Sequence, residues 1–317
     1  MDMKEQLMKK IGLEVLENEL LANYTTFKIG GPAKFFVRVN NKADLFKTLK
    51  AVKEFDLPFF TLGGGSNVLV ADKGFDGLVI KLHDGQAEFS GQTVKIFAGH
   101  SWAGLIRECV KKGLGGLEFG ANIPGTVGGA VYGNAGAYGK GAGDYIQSVE
   151  VICLDDNEIN LKILTKDDCA FNYRDSIFKK HKDWIISEIV FKLERDEKAI
   201  EKLKQIENEW QSRCDKQPLN LPSAGCSFKN VIYTGELDRF KEWEIKGKLP
   251  AAKFIEDADL KGMKIGGALV SDKHANFIVN TGNAKADDIV QLISVIKTRV
   301  RNEFGVQLEE EIQYVGF

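Results

Sequence analysis

The segments best suited to bind a ligand through the backbone are rich in glycine. Residues 115–139 include nine glycines in 25 positions, and neither a helical nor an alternating apolar period runs through them. Ordering this stretch is costly because glycine loses more backbone freedom on folding than other residues. A long ordered loop is uncommon unless it is functional, and closely spaced N–H groups suit phosphates. We therefore interpret residues 115–139 as an irregular loop that cradles a cofactor.

A second cluster, Gly63-Gly64-Gly65-Ser66-Asn67, separates the apolar runs 59–62 and 68–70. The pattern predicts a strand, a tight turn and a strand, and successive N–H groups of such a turn can form an anion-binding nest. Neither cluster matches the Rossmann or the P-loop motif, so both of these enzyme classes are disfavoured. Taken alone, three glycines more often form an ordinary hairpin turn.

Together, residues 62–80 and 115–139 resemble the flavin-binding segments of the UDP-N-acetylenolpyruvoylglucosamine reductase family. The resemblance extends from about residue 23 to residue 316, and residues 23–32 are similar to the entry motif of the family. It implies an α+β chain with a vanillyl-alcohol-oxidase-like (PCMH-type) FAD-binding fold and a C-terminal α+β substrate-binding domain. The implied boundaries are 1–84 and 85–212 for two FAD-binding subdomains, and 213–317 for the substrate-binding domain, whose last strand returns to the active site.

The activity implied by the resemblance is the reduction of UDP-N-acetylglucosamine enolpyruvate to UDP-N-acetylmuramate, a step of peptidoglycan precursor synthesis. NADPH is the implied hydride donor and FAD the mediator. We expect FAD to be bound non-covalently, because no histidine lies in either glycine cluster. The expected cofactor-binding residues are Gly63, Gly64, Gly65, Ser66, Asn67, Gly120, Ile123, Pro124, Gly125, Thr126, Gly128, Gly129, Asn134 and Gly136.

Arg174 is the first catalytic residue that the resemblance implies. In the family's reaction, negative charge builds on the substrate carboxylate, and the planar fork of a guanidinium group matches a carboxylate. The family uses the arginine of a Y-R-D-S-I-F motif, which this chain has at residues 173–178. The alternative is an ordinary surface ion pair with Asp175 or Glu188.

The proton donor is the point where the chain departs from the family pattern. The family usually has A-G-S, whereas this chain has Ala224-Gly225-Cys226. A thiol with a pKa of about 8.5 is mostly protonated at neutral pH and can donate. Adjacent side chains of an extended segment point to opposite faces, so only one of the two neighbours, Cys226 and Ser227, can reach the flavin. The register favours Cys226.

Glu311 is the third implied catalytic residue, because the family's L-E-x-E motif matches residues 308–311. Strand alternation puts Glu309 and Glu311 on one face, so periodicity does not separate them. Without the resemblance, three adjacent acids are more typical of a solvated strand edge. The expected role of Glu311 is to hold Arg174, or to hydrogen-bond the enolate carboxylate while protonated.

The implied substrate-binding residues are Tyr138, Tyr173, Lys216 and Asn230. Each also fits an ordinary surface or loop position. Val231 stands where proline often follows F-K-N, and residues 175–215 contain no tyrosine. The chain thus resembles the shorter class of the family, which lacks a loop with a substrate-contacting tyrosine.

Composition limits the other classes of function. The 317 residues predict two or three domains, and a formal charge of −2 argues against a nucleic-acid surface. The N-terminal residues carry no secretory signal pattern and no apolar run is long enough to span a membrane, so we expect a cytoplasmic protein. Five cysteines without C-x-x-C spacing and four scattered histidines predict neither a disulfide framework nor a metal site.

Periodicity predicts the elements that must position these residues. Helices are expected at 4–20, 42–55, 101–112, 196–214, 250–257 and 285–304. Strands are expected at 34–39, 149–154, 161–164 and 184–193, with a closing strand at 306–315.

Two alternative functions stay open. One is another flavin oxidoreductase of the same fold that acts on a sugar or a hydroxy acid. The other is a non-catalytic module that binds flavin or a UDP-sugar, and the change from serine to Cys226 is slightly in its favour. The oligomeric state does not follow from the sequence.

Overall fold

The computed structural model describes residues 1–154 and 158–317, and only the backbone of residues 209–213. The helices, α1 to α7 in chain order, span Met3–Ile11, Lys42–Glu54, Trp102–Lys111, Val127–Tyr132, Ala199–Lys216, Ala251–Asp257 and Ala286–Phe304. The strands, β1 to β20, span Val15–Leu20, Pro32–Val39, Phe59–Leu62, Val68–Val70, Phe75–Leu82, Ala87–Ser90, Thr93–Phe97, Leu114–Gly115, Gly136–Ala137, Lys140–Gly141, Ile146–Leu154, Ile159–Thr165, Trp184–Lys192, Glu194–Arg195, Val231–Ile232, Lys248–Leu249, Lys264–Ile265, Ala268–Val270, Ile278–Asn280 and Gln313–Val315.

The chain divides into two compact units, each built from three stretches of sequence. Unit 1 consists of Met1–Glu19, Ala33–Gly64 and Asp76–Trp210, and unit 2 of Leu20–Pro32, Gly65–Phe75 and Gln211–Phe317. The predicted division at residues 84 and 212 into three domains stays a prediction.

Unit 1 is built on two sheets. The first has the strand order β1-β2-β5-β3, with β3 and β5 parallel. The second has the order β12-β11-β13-β7-β6 and is antiparallel throughout. One apolar core serves both sheets, and α2 and α3 bury residues such as Leu49, Trp102 and Leu105 in it. Fully burying a side chain of this size contributes about 1.5–3 kcal/mol.

Unit 2 combines a three-stranded antiparallel sheet, β17-β18-β19, with the parallel pair β20-β4. Its core contains the inner face of α7 and also Phe27, Ile29 and Leu69, which lie in the early stretches of the sequence. Residue Asp72 accepts a hydrogen bond of 2.9 Å from the N–H of Ala286 at the start of α7. Early and late segments of the chain therefore fold together in this unit.

The helices with strong sequence signals form close to their predicted bounds. Ser101 caps α3, with its Oγ accepting from Gly104 N–H at 3.2 Å, and Gly305 ends α7 in the left-handed conformation at φ 66°. Helix α3 buries Cys109, and burial raises the pKa of that thiol to about 12.

Two local predictions are wrong. The opening helix ends at Ile11 because Gly12 adopts φ 77°, and the chain continues as β1 instead of extending the helix to residue 20. The closing strand is limited to Gln313–Val315 and a single bridge at Glu310. The strands predicted on either side of the glycine turn do form, as β3 and β4; they pair with β5 and β20 respectively, so the turn is not the ordinary hairpin that three glycines alone would suggest.

Residues 115–139 also differ from the predicted irregular loop, because they contain α4 and a short 3₁₀ turn at Glu118–Gly120. Helix α4 is only six residues long, but Thr126 caps it, and Val127 and Val131 are fully buried. Tertiary packing therefore outweighs the low helix propensity of its two glycines.

No helix in the described ranges is long and apolar enough to cross a membrane.

Candidate functional site

Unit 1 brings parts of the two glycine clusters into direct contact. A Cβ on Gly64 would lie 2.5 Å from the Cα of Gly125, and a Cβ on Gly63 would lie 2.5 Å from Thr126 Oγ1. Real side chains do not tolerate these distances, so the approach requires glycine at both positions. Lys81 donates to the carbonyl of Gly63. Burial, together with the nearby charge of Arg38, lowers the pKa of Lys81.

Backbone N–H groups that can meet an anion lie in the turn at residues 63–67 rather than at α4. Neither Gly64 nor Gly65 donates its N–H to an acceptor among the described residues. The first N–H groups of α4 are occupied, since Val127 donates to His100 O at 2.8 Å and Gly128 to Ala98 O at 2.8 Å. A glycine turn with available N–H groups fits the phosphates of a dinucleotide such as FAD.

Several of the other predicted cofactor residues are explained by packing within unit 1. A Cβ on Gly120 would lie 2.3 Å from Trp102 Nε1, on Gly128 2.8 Å from Ala98 Cβ, and on Gly136 2.4 Å from Lys140 O. Thr126 Oγ1 accepts from Gly129 N–H at 3.3 Å, so these two residues form the cap of α4. Ile123 is half-buried and Pro124 is exposed.

In unit 2, Gly65 is held in a left-handed conformation against the Tyr24 backbone; a Cβ there would lie 1.9 Å from Tyr24 O. Asn67 uses its carboxamide on the protein, since Nδ2 donates to the carbonyl of Glu311 at 3.0 Å. Ser66 between them is half-buried. Residues 65–67 of the predicted cofactor turn and the predicted catalytic glutamate are therefore joined within unit 2.

Arg174 lies in a tight turn. Asn172 and Asp175 exchange two backbone hydrogen bonds of 3.1 and 3.2 Å, and Arg174 has φ 52°. This conformation is uncommon for a residue with a side chain and persists only when the surroundings fix it. Arg174 Nη1 donates to Gly136 O at 3.0 Å, and the guanidinium carbon lies 5.8 Å from the centre of the Tyr173 ring. Of the two alternative acid partners, Glu188 is paired with Lys42 and Lys95.

Cys226 and Ser227 differ in accessibility. Ser227 is 1% exposed, and its Oγ has no hydrogen-bond partner in the described part of the chain. Cys226 is half-buried and forms an antiparallel bridge with Phe277. The two side chains thus have the unequal exposure expected of neighbours in an extended segment.

The three adjacent glutamates have different surroundings. Glu309 pairs with Lys229 at 3.2 Å and is 73% exposed at its side chain, and Glu310 pairs with Lys297 at 2.5 Å. Glu311 is half-buried, and its N–H donates to the carbonyl of Ser227 at 2.8 Å. The backbone of all three glutamates runs beside the segment of the predicted proton donor, since Lys229 N–H donates to Glu309 O at 2.8 Å and Glu310 forms a bridge with Phe228. Glu311 is the one bonded to Ser227, the neighbour of Cys226.

The predicted substrate-binding residues are spread over both units. In unit 1, Tyr138 is 62% exposed with φ 56°, and Tyr173 is half-buried beside Arg174. In unit 2, Lys216 is exposed at the end of α5. Asn230 has a structural contact, because its Oδ1 accepts from the N–H of Ala251 at 3.1 Å, at the start of α6.

Sequence reasoning missed Asn276, whose side chain binds the backbone of the segment that contains Cys226, at Phe228. This side chain is 2% exposed; its Oδ1 accepts from Phe228 N–H at 2.9 Å and its Nδ2 donates to Phe228 O at 2.8 Å. The available signal was an asparagine inside the apolar run 275–279, because a buried carboxamide requires partners.

Comparisons with known proteins identify both parts of the chain. Residues 33–161 match the model of an FAD binding domain. Residues 217–315 match the model of the C-terminal domain of UDP-N-acetylenolpyruvoylglucosamine reductase. The expected fold class, an FAD-binding part followed by an α+β C-terminal domain, is confirmed.

Similar curated proteins cover almost the whole chain. The UDP-N-acetylenolpyruvoylglucosamine reductase of Carboxydothermus hydrogenoformans is 40% identical and covers 99% of this chain and 98% of its own length. That of Halalkalibacterium halodurans is also 40% identical and covers 96% of this chain and 95% of its own.

A solved structure agrees with these relatives. The crystal structure of UDP-N-acetylenolpyruvylglucosamine reductase from Thermus caldophilus superimposes with a TM-score of 0.73 at 31% identity, covering 96% of this chain and 99% of that one. The chain therefore belongs to the UDP-N-acetylenolpyruvoylglucosamine reductase family.

Proposed function

We propose that the protein reduces UDP-N-acetylglucosamine enolpyruvate to UDP-N-acetylmuramate, with NADPH as the electron donor and FAD as the resident cofactor. The chemistry that FAD supplies when bound is hydride transfer from NADPH to the terminal carbon of the enolpyruvyl group. The product serves peptidoglycan precursor synthesis. Family membership over the full chain supports this activity.

FAD fits the residues at the two glycine clusters. Available N–H groups at Gly64 and Gly65 suit its phosphates, and the contact between Gly64 and Gly125 gives a backbone surface without side chains. Gly63, Ser66 and Gly125 complete the proposed set closest to the cofactor. Gly120, Gly128 and Gly136 support it by letting the protein pack tightly behind these loops.

The guanidinium group of Arg174 binds the substrate carboxylate in this proposal, on which negative charge builds after hydride transfer. A cation that is already held where negative charge develops lowers the activation barrier, because the protein does not have to reorganise during the reaction. The closed turn and the bond to Gly136 O support a fixed Arg174. Tyr173 and Tyr138 are proposed to contact the substrate from the same unit.

Cys226 donates the proton to the ether-bearing carbon. Its partial exposure supports this role, whereas the hydroxyl of Ser227 is fully buried. The observation that carries the proposal is the 2.8 Å hydrogen bond from Glu311 N–H to Ser227 O. It supports adjacent positions for the proton donor and for Glu311, which is proposed to hydrogen-bond the substrate carboxylate.

The anchoring roles of Lys216 and Asn230 stay predictions. Lys216 is exposed, and the carboxamide oxygen of Asn230 already accepts a hydrogen bond at the start of α6. The cytoplasmic location and the lack of a nucleic-acid partner also stay predictions from the sequence.

Anaerobic titration of the purified flavoprotein tests the proposed function. We expect NADPH to bleach the flavin absorbance and the enolpyruvyl UDP-sugar to restore it, with stoichiometric formation of UDP-N-acetylmuramate. Restoration by oxygen but not by the UDP-sugar would instead indicate another flavin oxidoreductase of this fold. A flavin that NADPH leaves unbleached would indicate a binding module.

A further inference from the structure

Asn134 uses both ends of its carboxamide on the protein. Its Nδ2 donates to the carbonyl of Asn172 at 2.8 Å, and its Oδ1 accepts from the N–H of Gly143 at 3.0 Å. The residue adopts φ 42°, which asparagine tolerates better than most residues. A Cβ on Gly141 would lie 2.7 Å from Asn134 Oδ1, so the neighbouring chain closes around the amide.

The carbonyl that Asn134 binds belongs to the turn that carries Arg174. That turn is also joined to the segment 132–143 by other bonds: Ser176 Oγ donates to Tyr132 O at 2.6 Å, and Arg174 Nη1 donates to Gly136 O at 3.0 Å. Lys179 Nζ donates to the carbonyl of Arg174 itself at 2.5 Å. The bond from Asn134 reaches Asn172, where the turn begins.

Only a side chain with one donor and one acceptor at its end can satisfy both partners at once. Aspartate keeps the acceptor for Gly143 N–H but places a carboxylate oxygen against the carbonyl of Asn172. Because Nδ2 faces a carbonyl and Oδ1 faces an N–H, one orientation of the amide satisfies the site. This arrangement uses one N–H of Nδ2 and one lone pair of Oδ1 to join the turn of Arg174 to the chain at Gly143.

We propose that Asn134 is a positioning residue for Arg174, an inference that rests on the proposed role of Arg174 toward the substrate carboxylate. Arg174 has a left-handed backbone, which the local sequence does not favour, so its conformation depends on the partners that fix the turn. Losing the bond to Asn172 shifts the guanidinium group. A misplacement of about 1 Å costs on the order of 10²-fold in rate.

The test is a double-mutant cycle on the intact flavoprotein with Asn134→Asp and Arg174→Ala, measured in two separate half-reactions by stopped flow. We expect Asn134→Asp to leave the FAD content and the bleaching of the flavin by NADPH within about twofold of the unmodified protein. Its reoxidation by the enolpyruvyl UDP-sugar should slow by about 10- to 100-fold. In the Arg174→Ala background, Asn134→Asp should add almost no further loss.

The matched control is Asn18→Asp, the same chemical change at an exposed asparagine with φ 54° in the same unit. It should leave both half-reactions unchanged. If Asn134→Asp does not fold, Asn134→Gly replaces it in the cycle, because glycine adopts φ 42° without strain.

The outcomes separate this inference from the proposed function. Loss of FAD from Asn134→Asp, unchanged reoxidation, or losses that simply add in the double variant would overturn the positioning role alone. If Arg174→Ala itself leaves reoxidation intact, the proposed role of Arg174 fails and the positioning role fails with it.

Discussion

The turn at residues 172–175 in unit 1 and the segment at residues 226–228 in unit 2 are fixed by different kinds of interaction. The first is held to the segment 132–143 by side chains that bind backbone groups, among them Asn134 and Ser176. The second is held mainly by backbone bonds to two neighbouring segments, from Ser227 N–H to Asn276 O and from Glu311 N–H to Ser227 O, both at 2.8 Å. The side chain of Asn276 adds two bonds at Phe228, and no side-chain bond is needed at Cys226 itself for this backbone pairing.

This difference predicts different responses to mutation. Backbone hydrogen bonds persist when a side chain changes, so substitutions at Cys226 should alter the chemistry and leave the geometry intact. The turn of Arg174 depends on particular side chains, so single substitutions there should displace the residue. The predictions for Arg174, Asn276 and Cys226 below test this contrast.

The largest effect is expected from Arg174→Ala. Without the guanidinium group, no positive charge stabilises the negative charge that develops on the substrate carboxylate. The rate of flavin reoxidation by the UDP-sugar should therefore fall by about 10²- to 10³-fold. Bleaching by NADPH should stay within about twofold. The matched control is Arg107→Lys, at an exposed ion pair of 3.1 Å with Glu207 in the same unit, and it should have no effect on either half-reaction. A loss confined to the NADPH half-reaction would contradict the assignment.

Asn276→Ala should affect stability more than rate. It removes two hydrogen bonds to Phe228 and leaves a buried N–H and carbonyl unsatisfied. We expect the free energy of unfolding to fall by about 2–4 kcal/mol, as measured by urea denaturation. The backbone bonds of Ser227 remain, so the folded variant should reoxidise its flavin within about tenfold of the normal rate. Asn302→Ala, at an exposed position on α7, is the control and should change stability by less than about 0.5 kcal/mol.

Gly64→Ala should weaken the contact between the two glycine clusters. The new methyl group would meet the Cα of Gly125 at 2.5 Å, and such overpacking costs about 1–3 kcal/mol. We expect a reduced FAD content after purification and a weaker affinity when FAD is added back. Gly235→Ala provides the comparison, because a Cβ there has open space within 4 Å. Equal FAD affinity in both variants would show that the close contact is not needed for binding.

The smallest effect concerns His274, whose Nδ1 accepts from Asn276 N–H at 3.3 Å. Burial lowers the pKa of His274, so the unfolded chain takes up a proton at higher pH than the folded chain does. The free energy of unfolding should therefore fall as the pH falls below about 6.5. His274→Gln should reduce the slope of stability against pH between about pH 7 and pH 5. If the slope is the same in His274→Gln, groups other than His274 cause the pH dependence of stability.

Sequence periodicity predicts elements whose stability is local. Helices α3 and α7 have a continuous apolar face and clear end signals at Ser101 and Gly305, and both form as expected. Helix α4 could not be predicted in this way, because its stability comes from buried contacts of Val127 and Val131 that a glycine-rich sequence does not reveal. The early stop of α1 depends on the left-handed conformation of Gly12.

Prediction of the candidate site from the sequence is limited in the same way, to features that are local in the chain. Motifs locate Arg174, Cys226 and Glu311, and strand alternation anticipates the different exposures of Cys226 and Ser227. Asn134 binds Asn172, 38 residues away along the chain, and Asn276 binds Phe228, 48 residues away. Local sequence carries no information on such pairings, which only the folded structure reveals.

The account is tested most directly by single-turnover reoxidation of the flavin in three variants: Cys226→Ala, Cys226→Ser and Ser227→Ala. If Cys226 donates the proton, Cys226→Ala should slow reoxidation by about 10²-fold or more, with normal bleaching by NADPH. Cys226→Ser should recover much of the rate, because a hydroxyl occupies the same position, and Ser227→Ala should be mild. A harmless Cys226→Ala together with a crippling Ser227→Ala would contradict the account and assign the proton to Ser227.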